Sequence, residues 1–573
     1  MTPNQALSPV GPRFHVYARY SEIYSKASPE ELWNGLQSAP IVDAVQALAW
    51  INSKLSADRS AQADRQLASL FLTPDAAARL AAVAPTPPAV PALFHRLGNL
   101  LLIRNLLLYG TNRDPKSDVP LPELGRLVLL QNDFVPCAPD VPGPAALEII
   151  RASIAVWDIY NPIETPSAGR LYEILTDILS GSDPEIARLR ERIGFRSLNV
   201  GGLTLPEWVA IVFGLFAVGL KQTTNQRAAA FDPQEVFKGF PRAQGLLSGF
   251  LNRRALTIAE LATALRRDQP NTREQFLKDL SDPGTITACL ATIRQRPFLC
   301  IDDRVVILDL QFLADLLTTG IYWLIFDSLD KQHRDTFREM WGRAFELYVT
   351  RELRAFYPLS SQLLSVDIPH KDGQVDAILD TGPVVFVFEI KSSLLTDAAK
   401  RGGDAETLRK DIERKFIKNE RGKPKAVLQL ARAAKGVLAG DISTVMRPKR
   451  VYSILITDEP ATECPGFSAY LNERFQQEVG GSPEIRPLSV MSIDECEQFL
   501  PYAASNAISW ENLCETRIEG PCVSVGQTIY DIRQKRGIAP QINDLMKAKF
   551  EKTRDAIQLV FRATSDQGNS DPT

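Results

Sequence analysis

The alternation of apolar and polar positions changes character near residue 330. Before it, apolar residues recur at steps of three and four, as in "PIVDAVQALAWINSKL" (40–55) and "DRQLASLFLTPDAAARLAAV" (64–83). That spacing predicts helices that bury one face. The most apolar run, "WVAIVFGLFAVGL" (208–220), has 13 residues, short of the roughly 20 that span a bilayer. Thr204, Pro206 and Glu207 stand just before it as cap and first turn, so it predicts a buried core helix. "TIAE" (257–260) is a capping-box pattern that opens another helix, and further helices follow from residues 272 and 285. "FLCIDDRVVILD" (298–309) then predicts two short strands about a two-residue turn at Asp302 and Asp303. Helices followed by a hairpin is the order of a winged-helix module, with a helical subdomain bearing an added hairpin as the alternative. The Pro-rich "APTPPAVP" (84–91) breaks the helical pattern.

After residue 330 the pattern mixes. "RDTFREMWGRAFELYVTRELRAF" (334–356) predicts a long helix, and "QLLSVDI", "QVDAILD" and "VVFVFEIK" predict three strands. Helical segments "ETLRKDIERKFIKN" and "KAVLQLARAAKGVLAG" follow, then the strand "RVYSILIT" (450–457). One more strand, "EIRPLSVMSI", lies among helices in 458–562, and the tail "ATSDQGNSDPT" is polar. The expected organisation is multidomain: a mainly α-helical N-terminal region (1–244), a helical segment with the hairpin (245–330), an α/β domain (331–500), and C-terminal helices with the polar tail (501–573).

Composition adds limits. The chain has 573 residues, 45% hydrophobic and 23% charged, with a net charge of −3. This is an ordinary globular composition with room for several cores. It carries no global basic signature, so contact with nucleic acid needs a local patch. The seven cysteines include no CxxC pair, which points to reduced thiols and no zinc site. No leader-like segment opens the sequence, so a cytoplasmic protein without a membrane partner is expected.

The chemistry concentrates at "VVFVFEIK" (384–391). Five apolar residues lead directly into Glu389 and Lys391, two positions apart and so on one face of the strand. If residues 380–383 form the turn from the preceding strand, Leu379 pairs with Val384 and Asp376 with Val387. Glu389 then lies diagonally across from Asp376 on the same face, about 7–8 Å away. Two acids that close repel unless a cation stands between them, and oxygen ligands suit Mg²⁺ or Mn²⁺. A lysine beside them can orient water or offset charge on a phosphate. A plain Glu–Lys pair at a strand end is the bland alternative, weakened by the cost of burying unpartnered acids.

Asp376 followed by Glu389-Ile390-Lys391, in the order helix, three strands, helix, strand, resembles the PD-(D/E)XK nuclease superfamily over residues 334–457. The resemblance implies a restriction-endonuclease-like fold and Mg²⁺-dependent cleavage of nucleic acid, DNA favoured over RNA. It implies metal ligation by Asp376, Glu389 and Glu346, the last on the helix before the strands. It also implies catalytic roles for Lys391 and, on the following helix, Gln429. Val375 stands where the motif name has Pro. His370, just before the metal strand, reads as structural. Residues 401–435 hold eleven Lys or Arg against five acids, and Arg414, Lys415, Lys418, Lys423 and Lys425 are the candidate phosphate contacts. The helical N-terminal region is expected to regulate or recruit, through a protein partner or a second copy, and by analogy bacterial defence suits this arrangement. The alternatives are a non-cleaving nucleic-acid-binding protein on the same fold and a helical scaffold in a multiprotein complex.

Overall fold

The computed structural model describes residues 15–57, 61–83, 90–114, 117–134, 147, 150, 154, 165–194, 199–200, 202–223, 230–266, 270–281, 290–358, 363–370, 373–396, 398–402, 405–444, 447–464, 466–519 and 524–562. Most of the Pro-rich stretch and the polar tail lie outside these residues.

A mainly helical N-terminal region precedes an α/β region, as the periodicity indicates. Helices α1 (Ile41–Ala57), α2 (Arg96–Tyr109) and α3 (Leu121–Asp133) share an apolar core that includes Leu48, Leu100, Ile103 and Leu129. Then come α4 (Thr165–Glu173), α5 (Pro184–Arg192) and α6 (Leu205–Gln222). Helix α6 is long and apolar enough to cross a membrane, and half of it is buried in the protein. Its start is held by Glu207, which accepts from the N–H and hydroxyl of Thr204 at 2.9 and 2.8 Å, the cap read in the sequence.

Strands β1 (Ala230–Phe231), β2 (Ala255–Thr257), β3 (Phe298–Ile301) and β4 (Arg304–Ile307) form a mixed sheet in the order β1-β4-β3-β2. Helices α7 (Pro241–Arg254) and α8 (Ile258–Arg266) flank β2. The capping box at Thr257 and Glu260 opens α8. Ile301 pairs with Arg304, so the β3–β4 turn has the two residues expected, and Asp302 takes a φ of 51° there. The outer edge of β4 is paired with β1, and β2 runs parallel to β3.

Helix α9 (Arg334–Phe356) buries Phe337, Met340, Trp341, Ala344, Phe345 and Tyr348 at helical spacing. Strands β5 (Leu364–His370), β6 (Gly373–Asp380) and β7 (Val384–Lys391) form an antiparallel meander. The chain crosses over through α10 (Ala405–Ile412) and α11 (Ala426–Ala439) to β8 (Arg450–Thr457), parallel to β7. Helix α11 stops at Gly440, whose φ of 80° suits a glycine C-cap. Helix α12 (Phe467–Val479) leads to β9 (Ser489–Ser492), parallel to β8, and α13 (Ile493–Ala504) and α14 (Asp544–Arg562) follow. The sheet order is β9-β8-β7-β6-β5.

One face of this sheet, with Ala377, Leu379, Phe386, Phe388 and Ile390, joins a core that also takes in Trp208, Phe250, Phe345 and Trp510. The apolar interior therefore runs across residue 330 and on into the C-terminal helices. The opposite face, with Ile378, Val385 and Val387, packs against Leu408, Leu430, Ala434 and Phe467. A buried polar lock ties α14 into the first core. Arg170 pairs with Glu497 at 2.6 Å and Asp494 at 2.9 Å. Tyr348 donates to Glu497 at 2.6 Å and accepts from Lys549 at 2.6 Å, and Lys549 also pairs with Glu352 at 2.5 Å. The described cysteines Cys300, Cys464, Cys496 and Cys514 form no disulfide; Cys137, Cys289 and Cys522 lie outside the described residues.

Candidate active site at a strand end

The register of the β6–β7 hairpin decides which side chains meet. Ala377 pairs with Phe388, Leu379 with Phe386 and Asp380 with Val385. This is two residues away from the register inferred from the turn, because the turn builds its own frame. The Asp380 carboxylate accepts from Gly382 N–H at 2.8 Å, Thr381 bonds Val384 O through both its N–H and its hydroxyl, and Gly382 takes a φ of 89°. A shift of two keeps every side chain on its face. It also moves Asp376 from a diagonal position to the place directly opposite Glu389, one step beyond the last ladder pair.

Glu389 continues the row of Val385 and Val387 and is 3% exposed, while Asp376 continues the row of Ile378 and is 8% exposed. The Ile390 N–H donates to Asp376 Oδ2 at 2.7 Å, fixing that carboxylate against the neighbouring strand. Lys391 Nζ lies 2.6 Å from Glu389 Oε1. One ammonium does not balance the acids around it. Burial, ahead of Lys391's opposing charge and Asp376's reinforcing one, pushes the Glu389 carboxyl up to about 8. Burial likewise raises Asp376. Burial works against the Lys391 ammonium, yet Glu389 and Asp376 outweigh it and hold the group above its ordinary range.

Glu346, on α9, belongs to the same electrostatic group. Burial and then the charge of Asp376 raise it to about 7, with Arg343 and Lys391 acting the other way. Arg343, one turn earlier, was not singled out in the sequence and is the hub of this side of the site. Its guanidinium lies 2.6 Å from Glu346, 3.4 Å from Asp183, 3.7 Å from Glu185 and 3.7 Å from Asp367. Asp367 sits on β5 in the register position facing Asp376 and takes a φ of 53°, in the left-handed region. The i,i+3 spacing of Arg343 and Glu346 was the available signal for the first. A hairpin register through His370 and Gly373 was the signal for the second.

The basic segment divides. Lys415 is folded inward, bonded to the Leu394 carbonyl and 3.0 Å from Asp411, and Arg414 pairs with the same Asp411 at 2.7 Å. Both are engaged in holding the loop after β7. Lys418 and Lys423 are exposed and make no ion pair among the described residues. Lys425 stands at the start of α11, where burial and then the charges of Lys391 and Lys423 lower it, with Glu389 opposing. Gln429 follows four residues on, its N–H on Lys425 O at 2.9 Å, so it lies on the helix face that Lys425 begins. His370 packs against α11 at Gly436, where an added Cβ would stand 2.6 Å from its Nε2.

Among the described residues no three His, Cys, Asp or Glu side chains gather into a metal cage. The donor set of Asp376 and Glu389 nevertheless fits a hard divalent cation: buried carboxylate oxygens on one face, both raised above their ordinary range by burial. Comparison with protein-family models, curated proteins and solved structures finds no match to this chain.

Proposed function

We propose that this protein is a divalent-metal-dependent nuclease of the PD-(D/E)XK type, acting on nucleic acid with DNA favoured over RNA. The observation that carries the reading is the pair Asp376 and Glu389 abreast on neighbouring strands, under-neutralised, with Lys391 Nζ 2.6 Å from Glu389. The meander followed by parallel strands, in the order β8-β7-β6-β5, supports a restriction-endonuclease-like core.

Asp376 and Glu389 are the residues that would hold Mg²⁺ or Mn²⁺, with Glu346 beside them. Such an ion, when bound, polarises a phosphate oxygen and acidifies water. Lys391 turns toward Glu389 in this structure. With a cation compensating that carboxylate, the ammonium becomes available to orient the attacking water or to offset charge growing on the phosphate. In the metal-free site burial and the charge of Asp376 raise Glu346 to about 7, so its carboxylate is one more that a cation would relieve. Lys418, Lys423 and Lys425 form the cationic approach to the strand end. Arg343 connects the site to Asp183 and Glu185 at the start of α5, which gives the helical N-terminal region a direct hold on Glu346 and supports a regulatory role for it.

The test is cleavage of plasmid, linear duplex and single-stranded substrates with Mg²⁺, Mn²⁺ or EDTA. Asp376→Ala is expected to abolish cleavage. Lys391→Ala should lower the rate at saturating substrate by about 10²–10³, while affinity measured in Ca²⁺ changes far less. Affinity lost in proportion to rate, or a wild type that cleaves nothing with any metal, would favour the non-cleaving binding protein.

A further inference from the structure

Away from the carboxylates, three arginines gather, and among the described residues none forms an ion pair with an acid. Strands β2 and β3 run parallel, with Ala255 opposite Phe298, so both start at the same end of their sheet. Arg253 and Arg254 immediately precede β2, and Arg296 stands two residues before β3. Arg254 lies over the Trp208 ring, its guanidinium carbon 5.5 Å from the centroid, and donates to Gln295 O at 3.3 Å. That packing holds the side chain in place, half-buried. Arg253 reaches back over the glycine at 202, where an added Cβ would stand 3.0 Å from its Nη1. Arg253 and Arg296 are exposed, and among the described residues neither makes an ion pair, nor does Arg254.

The cluster carries an electrostatic cost. Burial, and after it the charges of Arg296 and Arg253, push Arg254 down to about 10. The end of α7 accounts for basic residues at 253 and 254, since cations favour a helix C-terminus. It does not account for Arg296, brought in by the segment that leads into β3. The nearby acid, Glu260, has its carboxylate taken by the N–H and hydroxyl of Thr257 at 2.8 and 2.9 Å. Arg296 also borders a shallow hollow of about 440 Å³ whose other walls are Leu256, Ala259, Glu260, Thr263 and Ala264, and its charge acts on the Glu260 carboxylate. Planar guanidinium groups exposed on neighbouring segments match phosphate oxygens.

We propose that Arg253, Arg254 and Arg296 form a second phosphate-binding site, which grips the backbone of a nucleic acid at a distance along the chain from the strand-end carboxylates. The identity of the anion rests on the nuclease reading; the site itself does not need cleavage. The trapped geometry of Arg254 makes it the fixed member, and the exposed Arg253 and Arg296 are the adjustable ones.

The experiment uses the full chain carrying Glu389→Gln, in EDTA, so that turnover plays no part. Binding to a 5′-labelled duplex DNA is followed by fluorescence anisotropy over a range of salt concentrations. Adding Arg253→Glu and Arg296→Glu should weaken binding at least tenfold and lower the slope of log affinity against log salt by about 1.8, two phosphates at about 0.9 each. The pair Arg253→Lys and Arg296→Lys should keep the slope, which separates lost charge from lost fold. An unchanged slope in the Glu pair, or no duplex binding by the parent at low salt, overturns the proposal. Saturable binding of ATP that the Glu pair abolishes, with duplex binding unchanged, also overturns it and assigns the arginines to a free nucleotide. Failure of the wild type to cleave DNA, with these binding results intact, counts against the nuclease reading alone.

Discussion

Replacing Glu389 by glutamine removes the most costly charge at the strand end while keeping its shape. In the folded protein Glu389 titrates near 8 instead of its ordinary 4.5. An acid whose folded pKa is raised binds its proton more tightly in the native state, so stability is greatest below pH 4.5 and is lost as the pH climbs to about 8. At about 1.4 kcal/mol per pH unit, that displacement removes up to roughly 5 kcal/mol by pH 9. The glutamine side chain has no such titration. Lys391 loses its carboxylate partner in the variant, and burial, the largest influence on it, then has only Asp376 and Glu346 against it; any drop of its folded pKa makes the variant's stability rise with pH, the same sign as the removal of Glu389. Wild type and Glu389→Gln are unfolded by heat and by urea from pH 5 to 9 in EDTA. The variant should gain on the wild type by a few kcal/mol between pH 5 and pH 9, levelling off above about 8. Adding Mn²⁺ at pH 8 should recover most of the wild type's deficit and leave the variant nearly unmoved. Parallel stability curves across the whole range would show that Glu389 is not an under-neutralised buried acid, and the case for a cation at this position would fall with it.

Removing the Arg343 cation by Arg343→Ala should raise the Glu346 carboxyl further in the metal-free protein, read by carboxyl-carbon NMR titration in EDTA; an unmoved titration would disconnect Arg343 from Glu346. Lys418→Glu together with Lys423→Glu should reduce the salt slope of duplex binding by about 0.9 for each phosphate left without its cation, measured by anisotropy in Ca²⁺; no change would mean that substrate takes another path. Gly125→Ala should destabilise the N-terminal core by about 1–3 kcal/mol, because the new methyl runs into the main-chain carbonyl of Phe71; unaltered urea unfolding would contradict the close approach of these two segments.

The helix at 334–356 and the strands that follow were legible because each has one dominant period and a clear stop. The face shared by Asp376, Glu389 and Lys391 was legible for the same reason, since alternation along a strand survives any even shift in register. The register itself was not, because the Asp380 carboxylate and Thr381 rebuild the turn with side-chain bonds that residue type alone does not announce. Lys415 read as a surface cation, and only the fold brings the Leu394 carbonyl to its ammonium. Arg343 and Asp367 were missed because their significance lies in partners up to 160 residues away along the chain. The expected limit at residue 330 followed a change of period, while the interior continues through it from Trp208 to Trp510, a continuity set by tertiary packing.

The lock around Lys549 bears on how such a protein is made. Synthesis delivers the chain from its N-terminus, so Asp376, Glu389 and Lys391 emerge long before α14. Until α14 arrives, Glu352 lies without its ammonium and Tyr348 without Lys549 and Met546, on the helix that carries Glu346. A product that terminates between residues 391 and 549 holds the whole carboxylate–lysine set on its strands beside an unlatched helix. The helix that carries Glu346 is thereby latched only after α14 has been made, more than 150 residues later than Lys391.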